Sequence, residues 1–128
     1  GRKGIMVKVG AISFINTLPI YGHYDPGSQA SVCYAPPTSL NHQIFNGKLQ
    51  LSPVSSAFFL TNQHDLVLMP GLSVSSFGSV KSVLMLAQQP FAQLQQVAVP
   101  DDSATSVALL KLYFQQSTQH VPEFITYK

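Results

Sequence analysis

The feature that most constrains the fold of this chain is an alternation of short apolar runs with stretches that carry helix signals. The apolar runs are rich in Val, Ile and Leu and have little polarity, which is typical of buried parallel strands. We expect strands at residues 7–12, 31–35, 49–54, 65–70, 80–87, 97–99 and in the closing PEFITYK. Strands that alternate with helices predict an α/β fold with a mostly parallel sheet and flanking helices.

Three stretches between these runs predict helices. In PPTSLNHQIFNGKL, Pro37 suits a first helical turn, an apolar face follows, and Gly47 suits the end of a helix. A second helix is expected to begin at Ser55 or Ser56 in SSAFFLTNQ. In the third, Asp102 or Ser103 is the expected cap, and apolar residues follow at helical spacing.

The order of these elements predicts two lobes. Residues 6–90 would form the first lobe, and residues 91–128 would begin a second lobe that is incomplete, since a lone strand-helix-strand buries little surface. The glutamine-rich QQPFAQLQQ is the expected crossover between them. GRKGI ahead of Met6 is interpreted as an expression remnant.

Composition argues against several functions. The chain of 128 residues has a net charge of +2, and its seven basic residues are scattered, which disfavours nucleic-acid binding. The lone Cys33 and four histidines without metal-ligand spacing predict no metal site. No segment is long and apolar enough to span a bilayer, so the default expectation is a cytoplasmic protein.

Hydroxyl and amide side chains gather where the predicted strands end and helices begin. Ligands of parallel α/β proteins bind at this edge, where unpaired helical N–H groups attract anions. We therefore expect a neutral, donor-rich cleft for a small carboxylate. Its candidate groups are Ser13, Asn16 and Thr17; Ser55 and Ser56; Ser73, Ser75 and Ser76; and Ser103, Thr105 and Ser106.

Each of these residues also has an ordinary structural explanation. Serine or aspartate ahead of a helix is most often a cap, and Asn16 before a proline is most often a turn residue. The repetition at four strand ends is what favours a site. The chain has no G-x-S-x-G, P-loop or G-x-G-x-x-G motif and no persuasive acid/base pair of carboxylates.

Six motifs occur in one order along residues 7–127: ISFINTLP, PPTSLN, NGKLQLSPVSS, LMPGLSVSS, GSVKSVLML and DSATSVALLKL. Together they resemble the menaquinone-biosynthesis chorismate dehydratases of the futalosine pathway. The resemblance implies a periplasmic-binding-protein-like type II fold used as a cytoplasmic lyase. Such an enzyme removes water from the dianion chorismate to give 3-[(1-carboxyvinyl)oxy]benzoate, without metal or organic cofactor.

The resemblance also assigns roles. Asn16 matches an asparagine at the reacting centre, and Ser82 matches a serine beside it. The hydroxyl-rich helix starts match groups that hold substrate carboxylates, with Ser13 and Thr17 on the rim of the same site. The helix-start residues are Ser55, Ser56, Thr105 and Ser106.

Two departures from the family leave alternatives open. Gln50 stands where the family usually has an acidic residue, and the family continues through a complete second lobe. One alternative is a non-catalytic lobe that binds a small carboxylate or aromatic anion. Another is a truncated, inactive chain with a structural role, whose exposed cleft face would favour a homodimer.

Overall fold

The chain divides into two compact units, Gly1–Thr61 and Asn62–Lys128. Each unit has its own two-stranded parallel sheet with helices, so the predicted α/β class is confirmed. The single larger sheet that the sequence predicts is not present among the described residues. The predicted lobes, 6–90 and 91–128, stay a prediction. The computed structural model describes residues 6–14, 17–21, 25, 27, 29–118 and 120–128.

The first unit is built around its first strand. Strand β1 (Val7–Ala11) pairs in parallel with β2 (Ala30–Tyr34). On its other side β1 is also hydrogen-bonded, because Val9 forms a parallel bridge with Leu51 and the Gly10 N–H donates to the Leu51 carbonyl at 2.8 Å. The first strand of the chain is therefore the central one of this unit.

Three helices lie in the described residues of this part of the chain. Helix α1 (Leu18–Tyr21) occupies the place where the sequence predicts only a proline-containing turn. Helix α2 (Pro37–Phe45) and helix α3 (Ser56–Asn62) lie where helices are expected. The division between the two units falls at the end of α3.

The ends of α2 follow from local sequence signals. Pro37 lies in its first turn, where a missing N–H costs nothing. At the other end Gly47 has a φ of +73°, its N–H donates to Ile44 at 3.2 Å, and the Lys48 N–H donates to Gln43 at 2.9 Å. This pair of bonds is a Schellman motif, and it confirms the helix end predicted at Gly47.

The buried core of the first unit lies where β1 meets α2. Gly10 has no side chain, and a Cβ built there would lie 2.9 Å from Leu40 Cδ2 and 3.0 Å from Leu49 Cδ1. The close approach of α2 to β1 therefore depends on this glycine. The buried apolar residues are Val9, Ala11, Leu40 and Leu49.

After the end of α3, the next regular element of the second unit begins at Phe91. A short 3₁₀ helix (Phe91–Gln93) precedes strand β3 (Gln96–Pro100), helix α4 (Ala104–Ser117) and strand β4 (Glu123–Tyr127). Strands β3 and β4 pair in parallel, so β3, α4 and β4 form one strand-helix-strand unit.

Phe114 is the centre of the core of the second unit. It is fully buried on α4, and its ring centroid lies 6.2 Å from that of Phe91 and 6.2 Å from that of Phe124. Val107 and Leu110, predicted on the same helical face, are half-buried. The apolar spacing along α4 thus predicts the buried face correctly.

Three predicted strands are wrong. Residues 65–70 and 80–87 have no regular secondary structure, and their side chains are largely exposed, as with Val67 at 98% and Leu86 at 91%. A strand needs a hydrogen-bonded neighbour, and an apolar run reports only suitability for burial. The run at 49–54 is reduced to the single bridge at Leu51, and Pro53 offers no N–H to extend it.

No helix in the described part of the chain is both long enough and apolar enough to span a lipid bilayer.

Candidate functional site

The rim residues after β1 have different surroundings. Asn16 lies outside the described residues, and Ser13 is exposed. Thr17 is only 4% exposed, and its Oγ1 lies 2.8 Å from the Ile12 carbonyl and 2.6 Å from the Phe14 carbonyl. A hydroxyl has one proton, so these carbonyls use the donor that Thr17 would offer a ligand.

Ser55 is held by a buried asparagine from α2. The Asn41 side chain is 4% exposed, its Nδ2 donates to Ser55 Oγ at 3.2 Å, and its Oδ1 accepts from the Ser55 N–H at 3.4 Å. The Ser55 carbonyl accepts from the Phe59 N–H at 3.0 Å, so Ser55 precedes the first turn of α3. Ser56, the first residue of α3, is exposed.

The start of α4 combines hydroxyls with a carboxylate. Ser103 is the N-cap, but its side chain makes no capping bond and instead donates weakly to Asp102 Oδ1 at 3.4 Å. The predicted cap, Asp102 or Ser103, is therefore confirmed at Ser103. Thr105 and Ser106 follow in the first turn and are half-buried. A ligand anion would share this positive helix end with the carboxylate of Asp102.

A cavity of about 760 Å³ in the second unit brings three predicted site residues together. Ser82, Ser103 and Ser106 line it, and its walls are mainly the aliphatic side chains of residues 80–87, β3 and α4. Such a cavity can accept an apolar ring and offer it hydroxyl donors. The polar side chains in its lining are Ser82, Gln96, Ser103, Ser106 and Tyr127.

The serines of the third predicted group bond within their own loop. Ser73 Oγ lies 2.8 Å from Ser75 Oγ, and Ser76 Oγ lies 3.5 Å from the Ser79 carbonyl. All of them are exposed. They form a polar, exposed surface segment.

Within the described ranges, no three His, Cys, Asp or Glu side chains come close enough to hold a metal ion together. The side chains at the predicted site positions that the structure describes are hydroxyls, and backbone N–H groups lie beside them at the helix starts. These groups bind oxyanions by hydrogen bonding.

The site residue that the sequence interpretation missed is Asn41. Asparagine is a poor helix former, so its place in the interior of α2 is a sequence signal for a side chain with a partner. That partner, Ser55, is 14 residues away, and spacing alone does not identify it.

Comparison with known proteins places the chain in a family. The family model described as menaquinone biosynthesis matches residues 7–128, nearly the whole chain. This chain belongs to the menaquinone-biosynthesis family. The match includes β1, the predicted site serines of the cavity and the final strand.

A curated member of the family gives a closer comparison. The chorismate dehydratase of Thermus thermophilus is 37% identical over 109 residues, which cover 85% of this chain and 40% of the relative. The chain thus spans about two fifths of the length of the menaquinone-biosynthesis relative that it matches. The resemblance predicted from the six motifs is confirmed.

Proposed function

We propose that this chain provides part of a chorismate dehydratase site, which converts chorismate to 3-[(1-carboxyvinyl)oxy]benzoate. The observation that carries the proposal is the 37% identity to a chorismate dehydratase along 85% of the chain. The family's periplasmic-binding-protein-like type II fold and cytoplasmic location are part of the same proposal.

The reaction asks little of a protein catalyst. One ring C–H bond and one ring C–OH bond break, water leaves, and the ring becomes aromatic, so the elimination is strongly downhill. Positioning and hydrogen bonds to the departing hydroxyl can supply the required stabilisation. A carboxylate of the substrate itself takes the proton in this proposal, which needs no carboxylate base from the protein.

The proposed roles are divided between two kinds of residue. In this proposal Asn16 acts at the reacting centre, and Ser82 donates a hydrogen bond to the leaving hydroxyl. The lining of Ser82 and Ser106 around one cavity supports placing the ring there, because the remaining walls are apolar. The carboxylate donors are Ser55, Ser56, Thr105 and Ser106, with Ser13 and Thr17 at the rim.

The test is turnover of chorismate by this polypeptide, followed by mass spectrometry for the loss of one water. Asn16→Ala is expected to lower kcat far more than it weakens binding, because the proposed contact is made at the reacting atoms. Asn46→Ala is the matched control, an exposed asparagine at the end of α2. Equal losses of kcat and binding in Asn16→Ala would contradict the proposed role.

A non-catalytic lobe that binds a small carboxylate is the second candidate. The exposed position of Ser82 supports it, since water reaches a reacting centre that an enzyme would enclose. Chorismate that binds to the unchanged chain without losing water would favour this candidate. Gel filtration of the same sample distinguishes a monomer from the proposed homodimer.

A further inference from the structure

Asn41 and Ser55 are joined by two hydrogen bonds in the first unit. Both ends of the Asn41 amide bond to Ser55, with Nδ2 on the hydroxyl oxygen at 3.2 Å and Oδ1 on the backbone N–H at 3.4 Å. Asn41 is 4% exposed, and a buried amide is strongly destabilised when its hydrogen bonds are broken. The contact therefore fixes Ser55 against α2.

The geometry decides the direction of the hydroxyl bond. The backbone N–H of Ser55 can only donate, so the amide atom facing it must be the oxygen of Asn41. The NH₂ end of Asn41 then faces Ser55 Oγ and must donate to it. Because the serine oxygen accepts this bond, its own proton remains available to a ligand.

We infer that Asn41 is a positioning residue that keeps the Ser55 hydroxyl as a donor toward a substrate carboxylate. This inference rests on the proposed function, since it takes Ser55 as a carboxylate ligand. Asn41 itself is buried and acts only through Ser55. Nothing in the family comparison assigns it a role.

Asn41→Asp tests the inference with almost no change in shape. One carboxylate oxygen still accepts a hydrogen bond from the Ser55 N–H. The other replaces the NH₂ group and accepts a hydrogen bond from the Ser55 hydroxyl. The carboxylate of the substrate then loses a charge-assisted hydrogen bond, which is worth about tenfold to hundredfold in affinity. We expect KM for chorismate to rise by that factor and kcat to change little, because the bond is made equally before and during the reaction.

Two controls separate this effect from charge and from folding. Asn46→Asp adds the same charge at an exposed position at the end of the same helix and should leave KM unchanged. Ser55→Ala should raise KM as much as Asn41→Asp, and the double variant should be no worse than either. Additive losses in the double variant would overturn the inference.

A second measurement needs no substitution of Asn41. The side-chain NH₂ signal of ¹⁵N-labelled Asn41 should shift in Ser55→Ala and on addition of chorismate to the unchanged chain. A signal that moves in neither case overturns the inference, even if Asn41→Asp does not fold. Absence of chorismate binding by the unchanged chain would overturn the proposed function and this inference together, whereas normal binding by Asn41→Asp would overturn this inference alone.

Discussion

Leu40 packs onto Gly10 so closely that any side chain at residue 10 would collide with it. A Cβ at Gly10 would lie 2.9 Å from Leu40 Cδ2, and it would be nearer still to Ser52 Oγ. Leu40 is fully buried, so it has no open space to move into. The distance between β1 and α2 is therefore set by the absence of one methyl group.

Gly10→Ala should destabilise the first unit. Overpacking of a filled core costs about 1–3 kcal/mol, because neighbouring side chains and backbone must shift. Urea unfolding followed by circular dichroism measures the free-energy change. Ser52→Ala in the same chain should recover part of the loss, since it removes the atom nearest to the new Cβ.

Gly47→Ala is the matched comparison. Nothing lies within 4 Å of a Cβ at Gly47, and its φ of +73° is the only obstacle, so its cost of about 1–2 kcal/mol comes from the backbone alone. Ser52→Ala should not relieve this cost. Unchanged stability in Gly10→Ala would refute the packing explanation.

Thr17→Val should affect stability more than ligand binding. The hydroxyl of Thr17 is buried and bonded to the carbonyls of Ile12 and Phe14, and valine would leave them without this donor. We expect a loss of about 1–3 kcal/mol in thermal or urea unfolding. The affinity for chorismate, measured at a temperature where both proteins are folded, should change little.

Thr17→Ser is the control for this prediction, because it keeps the hydroxyl and should keep most of the stability. A large loss of chorismate affinity in Thr17→Val, with stability unchanged, would instead support the rim role that the sequence predicts for Thr17.

Gln50→Glu should be tolerated, whereas Gln50→Ala should not. Gln50 Oε1 accepts the Lys8 N–H at 2.6 Å, and the Gln50 N–H donates to the Lys8 carbonyl at 2.9 Å. A carboxylate can accept the same N–H, which explains how an acidic residue and glutamine can occupy the position. The alanine variant should lose about 0.5–1.5 kcal/mol in urea unfolding. Equal stability of the two variants would contradict this role.

The sequence predicts those elements whose structure depends on residues that are close in sequence. The helix end at Gly47 and the apolar face of α4 follow from φ preferences and from a 3.6-residue spacing, which depend on neighbours in sequence. The predictions of β1, β2, β3 and β4 are correct, since each of these strands pairs with another strand in its own unit.

The failures are non-local. The runs at 65–70 and 80–87 have strand-like composition, but pairing depends on a second strand that composition does not identify. The contact of Asn41 with Ser55 joins a helix interior to a residue 14 positions later. Neither of the two sequence motifs that contain these residues predicts the contact. The cavity that joins Ser82 to Ser106 was likewise beyond any spacing rule.

The central place of β1 has a consequence for synthesis on the ribosome. Strand β1 precedes both of its neighbours in the chain: Val7 pairs on one side only after Ala30 has been made, and Val9 pairs on the other side only after Leu51 has been made. Closing such loops costs chain entropy before the contacts repay it, which slows folding. Strand β1 is therefore paired on both sides only after Leu51 has left the exit tunnel, and its second edge stays exposed to chaperones until then.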